Sequence, residues 1–154
     1  MTNAFLSLRA AALAALLGTS AAAQTPPTAT EAFNLRIKCK QLAEEKANAL
    51  IENETATQIG RAPTEFSATA SGSNYDAKAN RCYVEITLRK KWGKQKENEE
   101  EVWQVYDGQT DDLLAYAAIE NGKRVGMVFD PDVNRREGWD DANAYMDARM
   151  HQQR

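Results

Sequence analysis

The chain has 154 residues, 43% of them hydrophobic and 27% charged, with a formal charge of −3. That size suits one domain with one core, and a mildly acidic chain has no global pull toward nucleic acid or anionic lipid.

Residues Met1 to Arg9 carry a single basic side chain, Ala10 to Leu17 are apolar, and Gly18 to Ala23 are small. Ala21 and Ala23 fit the small-x-small rule for a secretory signal peptide, which places cleavage before Gln24. The apolar run is barely half of the roughly 20 residues that a spanning helix needs, and no cysteine sits at the cleavage point to carry a lipid. Residues 1–23 therefore read as a signal peptide, and the product as periplasmic or secreted with no membrane anchor. Its removal takes Arg9 and no acid, moving the charge from −3 to −4. Residues 24–30 read as a flexible leader, and residues 31–154 as a single domain.

A long helix is expected from Glu31 to Asn53. Thr28 and Glu31 have capping-box spacing, and Leu35, Cys39, Leu42, Lys46 and Leu50 fall along one side with Ala43 and Ala49 beside them. Lys46 is the one polar member of that side. Residues 54–63 read as a linker, residues 64–70 as a weak edge strand, and Gly72-Ser73-Asn74 as a turn. The period then changes to two: Cys82, Val84, Ile86 and Leu88 alternate with Tyr83, Glu85, Thr87 and Arg89, a half-buried strand running to about Trp92. Each cysteine thus lies on the apolar side of its own element, and these are the only two in the chain. In an oxidising compartment that predicts a Cys39–Cys82 disulfide. A catalytic thiol or a metal ligand would need a partner, and the only histidine is His151.

A second strand returns from Glu100 to Tyr106. Residues 113–120 and 123–129 flank Asn121-Gly122, a strong hairpin signal. A two-residue turn there sets Ala118 against Val125, Tyr116 against Met127 and Leu114 against Phe129. Leu113, Ala115, Ala117, Ile119, Gly126 and Val128 fall on the other face, so both faces are apolar and need cover. An amphipathic helix from Trp139 to about Met150 can cover one of them; a second subunit is the alternative. The expected fold is α+β: a long N-terminal helix packed on a four- or five-stranded antiparallel meander, then a short C-terminal helix.

Ser73-x-Tyr75 and Asn80-Arg-Cys82-Tyr-Val84, following Cys39-Lys-Gln-Leu42-Ala43, resemble small exported bacterial proteins of unknown function. In those, a tyrosine and a Cys-Tyr-Val strand follow a helix of the type Cys-x-x-Leu-Ala. The resemblance implies the disulfide and an exported setting, and it carries no activity. The helix-then-meander layout is similar to that of cystatin-like folds, by analogy of order alone.

Three surfaces could carry function. Arg89, Lys90, Lys91, Lys94 and Lys96 surround Trp92 and could hold an anion or polysaccharide, but Glu97, Glu99, Glu100 and Glu101 follow on the returning strand and oppose them. Asp130, Asp132 and Asn134 imitate the first calcium-loop ligands, but Arg135 stands where that loop needs glycine and Asp141 where it needs glutamate. Tyr75, Tyr83, Trp92 and Trp103 gather on or near the central hairpin and suit a binding surface. No nucleophile–base pair is evident, and the sequence calls for no metal or cofactor. The leading expectation is a noncatalytic, disulfide-stabilised binding or accessory domain of the envelope, of the kind an inhibitor uses. Its partner would be an envelope protein or cell-wall component, with a homodimer as a further arrangement. The alternatives are a small carboxylate-dependent hydrolase and an anion or polysaccharide binder using residues 89–96.

Overall fold

The computed structural model describes residues 26–56, 63–93 and 99–151. Residues 1–23, and Lys94 and Lys96 at the central hairpin tip, lie outside the described residues. The elements are α1 (Ala29–Ala56), β1 (Glu65–Asp76), β2 (Arg81–Lys91), β3 (Glu99–Asp107), β4 (Leu113–Glu120), β5 (Lys123–Val128), β6 (Arg136–Glu137) and α2 (Trp139–His151). All strands pair antiparallel in sequence order, so the expected α+β meander is present, with six strands once the short β6 is counted.

The start of α1 is set by its capping box. The Thr28 N–H donates to Glu31 Oε2 at 2.8 Å, and the Glu31 N–H donates back to Thr28 Oγ1 at 3.3 Å. Hydrogen bonds from the Thr28 side chain and backbone hold the Glu31 carboxyl below its ordinary value. The helix begins at Ala29, so residues 29 and 30 are helical rather than leader. Cys39, Ala43 and Ala47 are buried on the sheet, with Leu35, Leu42 and Leu50 partly buried around them. Ala49, expected beside them, is exposed; Ala47 takes that place. Lys46 is accommodated by reaching outward, its Nζ 2.6 Å from Asp111 and 4.2 Å from the centre of the Tyr106 ring. The Cys39–Cys82 disulfide pins α1 to β2 across a Cα separation of 5.5 Å.

Two further differences from the sequence reading are β-bulges. Gly72-Ser73-Asn74 is not a turn: β1 runs through it for 12 residues, with Ser71 inserted between the pairs Ala70–Ile86 and Gly72–Glu85. The turn comes later, where Asp76 Oδ1 accepts from the Lys78 and Ala79 N–H groups. On β4, Val105 pairs with Ala115 and Tyr106 with Leu113, leaving Leu114 as the extra residue. The bulge turns Leu114 onto the same face as Ala115 and sends Leu113 to the other face, reversing the expected sides of these two leucines. The rest of the hairpin register holds: Ala118 pairs with Val125 and Tyr116 with Met127, around Asn121 and Gly122 at positive φ.

Each face of the sheet carries one helix. α1 lies on one, over β1 and β2, and α2 lies on the other, chiefly over β4 and β5. Tyr83, Val105, Leu114, Ala115, Ala117 and Val128 pack there against Ala142, Tyr145 and Met146. The first turn of α2 comes so close that a Cβ on Gly126 would stand 2.8 Å from the Ala142 Cβ and 2.9 Å from the Gly138 oxygen. No described helix is long and apolar enough to cross a membrane.

Candidate binding face

A helix is about 10 Å wide, whereas six strands at about 4.8 Å spacing span roughly 24 Å. One helix cannot cover such a sheet. Because α1 sits chiefly over β1 and β2, with Val102, Tyr106 and Ala118 at the far side of its core, the rest of the same face of β3, β4 and β5 carries little helix cover among the described residues. Cross-strand register builds a row there from Ile86 through Gln104 and Tyr116 to Met127. Ile86 is buried at the α1 end, whereas Gln104, Tyr116 and Met127 are half-exposed. Phe129, beyond the end of β5, stacks on Tyr116 with ring centres 5.9 Å apart and remains 39% exposed. Leu113 and Val125, both half-buried, flank the row.

Local bonds hold these side chains in place. The Tyr106 hydroxyl donates to Gln104 Oε1 at 2.8 Å, and Arg135 donates to the Met127 sulfur at 3.2 Å. Burial, reinforced by the nearby Asp111 carboxylate, pushes the Tyr106 hydroxyl up to about 12, so it stays protonated as a donor. Charged pairs, Lys46–Asp111 and Arg135–Glu137, stand at the border. An apolar, aromatic centre with a polar border is the anatomy of a protein interface.

The aromatic residues expected on a surface divide differently. Tyr75 and Tyr83 are both buried, on opposite faces of the sheet, so neither presents a contact surface. Tyr83 was expected on the outward side of β2, but α2 covers that side. Trp103 is half-buried with its ring edge-on to Trp139 at 5.6 Å, in a groove along α2 lined also by Glu85, Asp147 and His151. Burial raises the Glu85 carboxyl, partly opposed by His151. Trp92 is half-buried at the end of β2. Arg89 and Lys91 share one face of the sheet with their acids: Arg89 donates to Glu101 at 2.8 and 2.9 Å, and Lys91 lies 3.5 Å from Glu99 and 3.9 Å from Glu65. The described part of the basic strand is thus neutralised from both sides.

The acidic loop after β5 is occupied by arginines. Asp130, fully buried, accepts from the Tyr145 hydroxyl at 2.6 Å, from Arg149 at 3.0 Å and from the Asp132 N–H at 3.0 Å. Arg81 lies 2.9 Å from the buried Asp107 and 2.6 Å from Asp132, and Arg149 packs over the Tyr83 and Tyr145 rings. Burial alone would raise the Asp130 carboxyl, but the bonds from Tyr145, the Asp132 backbone and Arg149 outweigh it and hold it below its ordinary value. These oxygens are taken up in joining β2, the loop after β3, the loop after β5 and the end of α2. The calcium-like spacing of Asp130 and Asp132 therefore serves an ion-pair cluster.

Tyr116, Met127 and Phe129 are legible as one apolar face of the hairpin, a face expected to need cover. The available signal was the number of strands set against the width of one helix. No protein-family model, curated protein or solved structure matches this chain.

Proposed function

We propose that this is an exported, noncatalytic binding or accessory domain that docks another protein of the cell envelope on the open face of β3–β5. The observation that carries this reading is the Gln104–Tyr116–Met127–Phe129 surface, apolar and aromatic, held by local bonds and uncovered by α1. A patch of this kind on a stable scaffold marks an interaction site. The export half of the proposal rests on the N-terminal sequence pattern, and a disulfide between α1 and β2 suits an oxidising compartment.

The test uses protein recovered after expression of the full chain, immobilised and exposed to envelope extract, alongside Phe129→Asp and Met127→Ser. Phe129 is 39% exposed and Met127 is partly exposed, so the variants are expected to fold with unchanged circular dichroism. Specific retention of an envelope protein by wild type, lost in either variant, supports the proposal. Equal retention by all three forms overturns it.

A further inference from the structure

The outer flank of α1 carries a second seam that shares only Ala47 with the core. Phe33, Ile37 and Ile51 are 59%, 46% and 38% exposed, the large apolar residues that α1 leaves in solvent. With Lys40, Glu44 and Ala47 they form the series Phe33, Ile37, Lys40, Glu44, Ala47, Ile51, in alternating steps of four and three. That is the a/d spacing of a coiled-coil seam, about 27 Å long at 1.5 Å per residue. It lies about 120° round the helix from Cys39, which faces the sheet, so it points outward and sideways past β1. Lys40, Glu44 and Asn48 border a groove there against Ala68 to Ser73 of β1.

The series reads the same in both directions. An antiparallel pair of α1 helices related by a two-fold axis at position 42 sets Phe33 against Ile51 of the other copy, and Ile37 against Ala47. It sets Lys40 against Glu44 twice, once on each side of the axis. Self-complementarity of this kind is what a two-fold interface requires. The polar pair at the centre fixes the register, since a shift by one heptad would set charges against isoleucine or phenylalanine. Ala47 is buried against the sheet and adds little surface of its own, but its small side chain lets Ile37 of the other copy come close to the helix there.

We propose that the occupant of this flank is a second copy of the chain, joined through an antiparallel α1–α1 seam centred on Lys40 and Glu44. The axis passes beside the middle of β1, the outermost strand of the sheet, where among the described residues no strand pairs with the outer side. From Phe66 to Tyr75 that edge carries neither charge nor proline to deter pairing, and its one protective feature is the bulge at Ser71. A dimer on the α1 seam covers this edge as well. The proposal is independent of the β3–β5 face, which lies farther along the sheet.

Charge reversal tests it without touching the core. Sedimentation equilibrium of the full-chain product is expected to show a reversible dimer. Lys40→Glu and Glu44→Lys should each weaken it by about tenfold or more, because each puts like charges together at both central contacts. The double reversal should restore it. The two single variants, mixed in equal amounts, should form a heterodimer, because every central contact is then between opposite charges. No effect within one helix can reproduce that last result. Phe33→Ser with Ile51→Ser, at exposed positions, should also yield monomer with unchanged circular dichroism. A monomer at about 1 mM overturns the proposal, as does a dimer indifferent to the reversals or single variants that do not pair. Binding of neutral phosphatidylcholine vesicles by a monomer through Phe33 and Ile37 would overturn it too, giving the flank to lipid.

Discussion

The Tyr145 hydroxyl donates a 2.6 Å hydrogen bond to Asp130, and that bond ties the middle of α2 to the loop leaving β5. Asp130 is fully buried, and its carboxylate is kept ionised by this bond together with the Asp132 N–H and Arg149. Removing one donor leaves a buried acceptor short of a partner. Tyr145→Phe should therefore lower stability by about 1–3 kcal/mol in urea unfolding. Asp130→Ala, which strands Arg149, should cost about 3–5 kcal/mol. Equal midpoints for Tyr145→Phe and wild type would contradict this role.

The same carboxyl predicts acid sensitivity. Asp130 titrates below its ordinary 3.8 in the folded chain, so the unfolded state takes up the proton first as pH falls. Its contribution is complete above about pH 5 and is lost as pH drops through the lowered folded value. Burial raises the Glu85 and Glu100 carboxyls, which shift stability in the opposite sense on acidification. The Asp130 contribution is isolated by comparing stability–pH curves for wild type and Tyr145→Phe, which should converge at the acid end. Parallel curves would show that the bond does not set the carboxyl.

The disulfide closes a separation of 43 residues. Chain entropy assigns such a loop about 4 kcal/mol. Cys39→Ser with Cys82→Ser should lower the urea midpoint accordingly, and wild type should match the variant once reduced. Mass spectrometry of exported protein showing two free thiols would contradict the bridge.

Gly126 sets the seat of α2. Gly126→Ala would press a methyl group against Ala142 and the Gly138 carbonyl, at 2.8 and 2.9 Å. The expected cost is about 1–3 kcal/mol, with a changed near-ultraviolet spectrum from the Trp103–Trp139 pair. An unaltered spectrum would mean that α2 is not held at this contact.

Local chemistry carried much of the fold. Thr28 and Glu31 announced the start of α1, Asn121-Gly122 announced its hairpin, and the alternation around Cys82 placed that cysteine on the α1 side. What the sequence did not reveal depends on partners far along the chain. Leu113 and Leu114 exchange faces through a bulge against β3, which no local period encodes. Asp130 and Asp132 look like ligands until Arg81 and Arg149 arrive from distant positions. Tyr83 reads as outward until α2 covers its side. The open face follows from where α1 lands across six strands, a choice fixed by the disulfide and by the small residues Ala43 and Ala47 rather than by the hairpin beneath.

The binding face is tested most directly by photo-crosslinking in exporting cells, with benzoylphenylalanine introduced at Tyr116, Met127 or Phe129, and at the exposed positions Lys78 and Lys123 as controls. Adducts to an envelope protein are expected from the three face positions and none from the controls. Adducts only to a second copy of this chain, or face positions no more reactive than the controls, would contradict it.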